Sequence, residues 1–222
     1  MWTSLHSGQA KRLVRRLASI SAMAIGCSGT IGSADSPELP ASSREHKELI
    51  PLLTKTVLST PGFPESEQPA VAVVRSQRAS GVAGDVKLLV PITVRYKRLS
   101  NRYCRLAVGT TTTGTDLQLV PVPVRAGYDR CTRIAPVFFL DINRDGEMDV
   151  VYGMTVKSNR EDAWVVEAAV YLSDSSTSTG YCYSAVASEQ VQAEDLKRSA
   201  TVEAALRSAL DRLGLSAFPC SN

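Results

Sequence analysis

The sequence predicts an α+β fold that is mainly β: an antiparallel sheet or sandwich with a C-terminal amphipathic helix packed on it. Seven or eight short segments rich in β-branched and aromatic residues follow one another from about residue 70. Polar connections separate these segments at spacings typical of antiparallel sheets. After residue 200 the apolar residues recur at helical spacing instead.

The 222 residues divide into four predicted segments. Residues 1–27 form a signal peptide with a lipobox, and residues 28–43, rich in Ser, Gly, Pro and Ala, form a flexible tether. A short helical segment and linker follow at 44–68. Residues 69–222 form the β-rich domain, which is long enough to bury a substantial core.

The N-terminus has the parts of an export signal. Several basic residues precede a short apolar run, 17–26, which is too brief to span a bilayer as a retained helix. Ala24-Ile25-Gly26-Cys27 resembles a bacterial lipobox, in which the cysteine becomes the lipidated first residue of the mature protein. Ordinary cleavage after Ala34 is the alternative. We therefore expect an extracytoplasmic protein, either periplasmic, membrane-anchored as a lipoprotein, or secreted.

The cysteine count agrees with export. Once Cys27 is lipidated or removed, four cysteines remain, an even number that suits disulfides in an oxidising compartment. Three pairings are possible. Proximity in sequence favours Cys104 with Cys131 and Cys182 with Cys220, and the second bond would fix the C-terminal tail.

Before the β-rich domain the sequence predicts a short helix. Ser42 and Glu45 fit a capping box at its start. Pro51 either interrupts this helix or begins a second helical piece that ends at Thr60. Three further prolines exclude regular structure before the domain, and they are Pro61, Pro64 and Pro69.

Strands and loops then alternate. The connections include 81–85, a threonine-rich tip at 109–115 and a polar loop at 173–180. Trp164 and Tyr171 are expected in the core. The predicted strands are 70–74, 86–96, 103–108, 117–125, 134–140, 150–156, 164–172 and 181–183.

The C-terminal helix is predicted to begin near Thr201 and to end at Gly214. Its apolar stripe most simply packs on a face of the sheet, although a groove on a partner is an alternative. The stripe consists of Val202, Leu206, Ala209, Leu210 and Leu213.

One loop has the spacing of a calcium site. Oxygen-bearing side chains occupy positions 1, 3, 5 and 9 of the segment 141–149, with Gly146 at position 6 to allow a sharp bend. The backbone carbonyl of position 7 would complete the set. The predicted Ca²⁺ ligands are Asp141, Asn143, Asp145, Glu147 and Asp149. The alternative is a tight hairpin turn in which the aspartates only form Asx-turns.

The residues around this loop determine its type. Both flanks are β-branched or aromatic, so the loop joins two strands, and Tyr152 stands where an EF-hand needs its bidentate glutamate. The segment from Phe138 to Gly153 resembles the strand–loop–strand calcium hairpin of the FG-GAP (integrin-like) family, with its D-x-[DN]-x-D-G-x-x-D pattern. The resemblance implies the hairpin and its metal. It does not imply a propeller, because only one copy occurs.

Charge is divided between the two halves of the chain. From Arg75 to Arg133 there are eleven Lys or Arg and three Asp or Glu, a net of +8, whereas from residue 134 onward there are seven basic and thirteen acidic residues, a net of −6. A basic face would suit an anionic partner such as lipopolysaccharide, an acidic glycan or an acidic protein. Strand alternation that places arginines in water is the alternative. Nucleic acid is not an expected partner of an exported protein.

Few catalytic groups are present. After the export signal the chain has one histidine, His46, and it lacks the G-x-S-x-G, H-E-x-x-H, phosphate-loop and dinucleotide motifs. We therefore expect an exported, non-enzymatic calcium-binding protein of the bacterial envelope that recognises a protein or an anionic envelope component. Two alternatives are an inhibitor or immunity protein against a toxin or hydrolase, and a carboxylate-dependent hydrolase. Carboxylates for the latter would come from 141–149, Glu161, Asp162 or Glu167.

Overall fold

The computed structural model describes residues 43–65, 67–80, 86–98, 102–109, 116–123, 130–157 and 163–221. These residues confirm a mainly β, α+β fold with two antiparallel sheets and a C-terminal helix. They form four layers in the order helix, sheet, sheet, helix, with an apolar cluster in each of the three spaces between layers. The predicted export signal, Cys27, the tether and most of the threonine-rich tip lie outside the described residues.

The first sheet is built around its longest strand. β3 pairs with β1 and β2 along one edge and with β4 along the other, and β5 lies beyond β4. β5 is far shorter than the predicted strand 117–125, because Pro121 and Pro123 have no N–H with which to continue the ladder. The strands are β1 Ala70–Val73, β2 Gln77–Ser80, β3 Val86–Arg95, β4 Arg102–Gly109 and β5 Gln118–Leu119.

The second sheet is a meander of four antiparallel strands in chain order. Side chains of β7 and β8 alternate between the core shared with the first sheet and the core beneath the C-terminal helix. Because both faces are covered, these strands carry apolar residues at consecutive positions. The strands are β6 Cys131–Leu140, β7 Asp149–Lys157, β8 Trp164–Ser173 and β9 Tyr181–Tyr183.

The outer face of the first sheet is covered by α1, Ser43–Ser59. The helix runs without a break through Pro51, so the predicted interruption or second piece is wrong. Leu49, Leu53 and Val57 are buried against the sheet. Burial stabilises the fold by about 1.5–3 kcal/mol for each of these side chains. The three contributions together exceed the roughly 3 kcal/mol that a proline inside a helix costs.

The outer face of the second sheet is covered by α2, Ala185–Gln190, a short 3-10 helix, Asp195–Lys197, and α3, Ser199–Leu213. Four of the five predicted stripe residues of α3 are buried there, and Leu213 is exposed. Gly214 ends α3 in the left-handed conformation, as its sequence position predicts. None of the described helices is long and apolar enough to cross a membrane.

Both predicted disulfides are present. Cys104–Cys131 joins β4 of the first sheet to β6 of the second, and Cys182–Cys220 fixes the C-terminal tail to β9. Each bond stabilises a fold of this kind by roughly 2–4 kcal/mol.

The start of β8 differs from the prediction. Trp164 is 54% exposed, although it was expected in the core together with Tyr171, which is fully buried. Trp164 is exposed because the helical layer packs on β8 only from Ala168 to Leu172 and leaves the first residues of the strand accessible to solvent.

Candidate metal centre

The predicted acidic loop joins two paired strands of the second sheet. β6 ends at Leu140 and β7 begins at Asp149, and these two residues face each other in the antiparallel register. Residues 141–148 between them form bends and contain no helix or strand. The loop therefore connects two strands, as its flanking residues predict.

Two residues with left-handed backbone conformation curl this loop. Arg144 has a φ of 61° and Gly146 a φ of 86°. Glycine adopts this region without steric penalty, whereas a residue with a Cβ atom pays about 1–2 kcal/mol. The Arg144 side chain is exposed and offsets none of this by burial. Hydrogen bonds within the loop must therefore offset the cost.

Those hydrogen bonds come from the predicted ligand side chains. The two carboxylate oxygens of Asp141 accept from the N–H groups of Asp145 and Gly146, each at 3.1 Å. Asp145 Oδ1 accepts from the N–H of Glu147 at 2.7 Å, and its Oδ2 accepts from the Asn143 amide at 2.9 Å. Each carboxylate oxygen has about two lone-pair directions, so one remains on each oxygen for a further partner.

Asp149 lies at the base of the loop and is 0% exposed. Its Oδ2 accepts from the N–H of Ile142 and its Oδ1 from the N–H of Ser173, both at 2.9 Å. Burial raises the pKa of Asp149 to about 7, against the effect of the two N–H donors, and the negative charges of Asp145 and Asp141 raise it further. A nearby cation would reverse this penalty on the ionised form.

The loop is also anchored to other strands. Glu147 forms an ion pair with Lys87 of β3, with Nζ and Oε2 3.1 Å apart, and accepts a hydrogen bond from the Ser173 hydroxyl of β8. The Tyr181 hydroxyl of β9 donates to the Met148 carbonyl at 2.6 Å. The Glu147 side chain is thus committed to these contacts.

A fourth anchor comes from the C-terminal helix. Arg207 of α3 donates to the Asp141 carbonyl at 2.9 Å and also pairs with Glu203. Lys87, Ser173, Tyr181 and Arg207 are all distant from the loop in sequence. No local spacing could have identified them, because the fold alone brings them to the loop.

The donor set of the loop consists of oxygens, which suits a hard dication such as Ca²⁺. The three aspartates are spread apart: in the described part of the chain, only Asp174, Cys182 and Cys220 bring three acidic or sulfur ligand atoms within 4.8 Å of one another. Those two cysteines form a disulfide and offer no thiolate. Ligation in the loop would therefore draw its carboxylates inward from their present N–H partners.

Comparison with models of known protein families, with curated proteins and with solved structures gives no match to this chain. Function is therefore inferred from the residues of the site and of the surrounding surface.

Proposed function

We propose that this chain is an exported calcium-binding protein without enzymatic activity, which recognises a protein or an anionic component of the bacterial envelope. One observation carries the calcium proposal. The acidic loop closes a strand hairpin above the fully buried carboxylate of Asp149, which forms no ion pair within the described residues. The resemblance of this segment to the FG-GAP hairpin supports the same assignment.

In this proposal Asp141, Asn143, Asp145 and Asp149 ligate through side chains, and Glu147 through its carbonyl. Bound Ca²⁺ supplies positive charge that offsets repulsion among the three aspartates. The protein's own residues hold the loop in place from β3, β8, β9 and α3. A site anchored on four elements favours a structural role for the ion over a sensor role.

Export is supported by the two disulfides, because such bonds persist in oxidising compartments. The lipobox resemblance of Ala24–Cys27 favours a lipid anchor at Cys27, and cleavage after Ala34 would instead release the protein.

An anionic partner is supported by a row of arginines on the first sheet. Arg95 of β3 lies directly opposite Arg102 of β4, and Arg102 pairs in turn with Arg130. All three are exposed. Like charges at directly opposed strand positions are destabilising, so the pairing of Arg95 with Arg102 is more readily explained by a bound anion than by fold stability.

The test of the metal assignment compares Asp145→Ala with the matched control Glu189→Ala, an exposed acid on α2. Melting temperatures are measured in millimolar Ca²⁺ and in EGTA. We expect Asp145→Ala to lose most of the calcium-dependent rise in melting temperature and to change the EGTA value much less, while Glu189→Ala behaves as the wild type. Equal calcium-dependent rises in all three proteins would refute the proposed site. A hydrolase would instead lose turnover in Asp145→Ala with its folding intact.

A further inference from the structure

A cavity of about 470 Å³ lies where the chain leaves the end of α1 and passes beside β4 and β5. Its volume falls within the roughly 300–1,000 Å³ of typical ligand pockets. We call it the Arg105 cavity. Most of its lining side chains are apolar, and its defining residues are Phe63, Tyr103, Arg105, Leu119, Pro121 and Pro123.

Arg105 is a charged residue on a face of β4 whose neighbouring side chains are buried. Tyr103 and Ala107, two positions before and after it on the same face of β4, are buried in the core under α1. The Arg105 guanidinium carbon lies 5.3 Å from the Tyr103 ring centroid and 5.6 Å from that of Phe63. These contacts stabilise a cation partly, but they provide no counter-charge.

Most N–H donors of the Arg105 guanidinium have no acceptor among the described residues. One nitrogen donates to the Cys104 carbonyl at 2.9 Å. Within the described ranges no carboxylate forms an ion pair with Arg105. Arginine has five N–H donors in a planar fork that matches a carboxylate bidentately. The cavity therefore presents a half-buried cation to whatever enters it.

The backbone beside the cavity also has hydrogen-bonding groups that a ligand could use. In the described part of the chain, residues 121–123 make no backbone hydrogen bond, whereas the Val120 N–H still donates to the Leu106 carbonyl at 2.9 Å. The Val122 N–H and the carbonyls of 121–123 can therefore pair with an extended chain, as an open strand edge does.

We propose that the Arg105 cavity binds the free carboxy-terminus of a partner polypeptide whose last side chains are apolar. The terminal carboxylate bonds to the Arg105 guanidinium, the apolar side chains fill the walls around Phe63 and Tyr103, and the peptide backbone runs along 121–123. An acidic saccharide fits less well, because the walls offer few polar side chains for its hydroxyl groups. The inference rests on the proposed binding function, since it names one class of protein partner, and it is independent of calcium.

The test uses the full mature chain and fluorescent hexapeptide mixtures whose last two positions vary over Leu, Ile, Val, Met, Phe and Tyr. Anisotropy is measured for mixtures with a free C-terminus and for the same mixtures as C-terminal amides. We expect binding of the free acids that weakens at least tenfold on amidation. Arg105→Gln should abolish this binding and Arg105→Lys should weaken it, because lysine lacks the planar fork. Arg133→Gln, an exposed arginine on β6 outside the cavity, should bind as the wild type does.

Several results would overturn the inference: no binding by any free-acid mixture, equal binding of the amides, or no effect of Arg105→Gln in a variant with unchanged melting temperature. Displacement of the peptides by equimolar inorganic phosphate would reduce the cavity to a simple anion site. Tight binding of an oligouronate in place of the peptides would assign it to saccharides. Calcium titration of the same samples separates the peptide proposal from the calcium proposal. Peptide binding can fail while calcium binding persists, and calcium binding can fail while peptide binding persists.

Discussion

The first and second sheets of the sandwich hold their charges in different ways. Four of the thirteen acidic residues after position 133 lie within the segment 141–149, where the aspartates accept hydrogen bonds from nearby N–H groups. In the described part of the chain, the strands of the first sheet carry five basic residues, Arg78, Lys87, Arg95, Arg102 and Arg105. There the arginine row places like charges side by side, and Arg105 lacks an ion pair among the described residues.

This difference indicates where each half finds its counter-charge. N–H groups hold the loop carboxylates by hydrogen bonds but leave their net charge in place, and a small cation within the loop would neutralise it. Arg95 and Arg102 face each other on the first sheet, and in the proposal a bound anion supplies their counter-charge. The two proposals therefore concern different regions: an ion that would stabilise the loop at 141–149, and an anionic partner that would bind the first sheet.

The largest effect is expected for Asp149→Ala. The change leaves the buried Ile142 N–H and the partly buried Ser173 N–H without an acceptor, at about 1–3 kcal/mol for each group that stays unsatisfied. Urea unfolding should show a loss of about 2–4 kcal/mol in EGTA and a larger loss in calcium. If Asp149→Ala lowered the stability in calcium but not in EGTA, Asp149 would act only as a ligand and would not support the loop.

A second effect is expected from pH in the absence of calcium. Burial raises the pKa of Asp149 from 3.8 to about 7, so between these values the folded state binds a proton more tightly than the unfolded state. The resulting stability is complete below about pH 4 and is lost as pH rises through about 7, by at most about 1.4 kcal/mol per pH unit.

This dependence is measured as the difference between the wild type and Asp149→Asn in urea unfolding with EGTA. The asparagine NH₂ group faces an N–H donor, so the variant has a lower free energy of unfolding than the wild type. Because asparagine cannot ionise, the variant lacks the pH dependence that Asp149 contributes. In saturating calcium the slope should flatten, because the ion competes with the proton. A wild-type advantage that grows from pH 4 to pH 7 in EGTA would contradict the account.

The smallest effect is expected in the basic half. Arg102→Gln removes the central charge of the arginine row and should raise stability by a few tenths of a kcal/mol at low salt, with no gain in 1 M salt because the charges are then screened. The same variant should elute earlier than the wild type from immobilised heparin, used here as a polyanion. Arg133→Gln is the matched control, and equal elution of the two variants would remove the row from the proposed binding face.

The sequence contains the local features of this molecule. The strand flanks and Gly146 lie within one short segment, and they predict correctly that the loop joins two paired strands and bends at Gly146. The ligand set that the spacing predicts stays a prediction. The C-terminal helix and its end at Gly214 follow in the same way from periodicity and a cap. Proximity of the cysteines was enough for both disulfides.

What the sequence did not reveal depends on contacts between distant segments. The continuous α1 follows from burial of Leu53 and its neighbours on the first sheet, which outweighs the local effect of Pro51. Trp164 is exposed because the helical layer ends before it reaches that part of β8. Arg105 becomes distinctive only when Phe63, forty-two positions earlier in the chain, is found beside it.

The central claim is that a divalent ion occupies the loop at 141–149, and calorimetric titration of Ca²⁺ into the EGTA-treated, dialysed protein tests it most directly. We predict one site per chain with a Kd of roughly 10⁻⁴–10⁻³ M, the range of extracellular modules, and its loss in Asp145→Ala. No binding heat up to 10 mM Ca²⁺, together with the same melting temperature in calcium and in EGTA, would contradict the account.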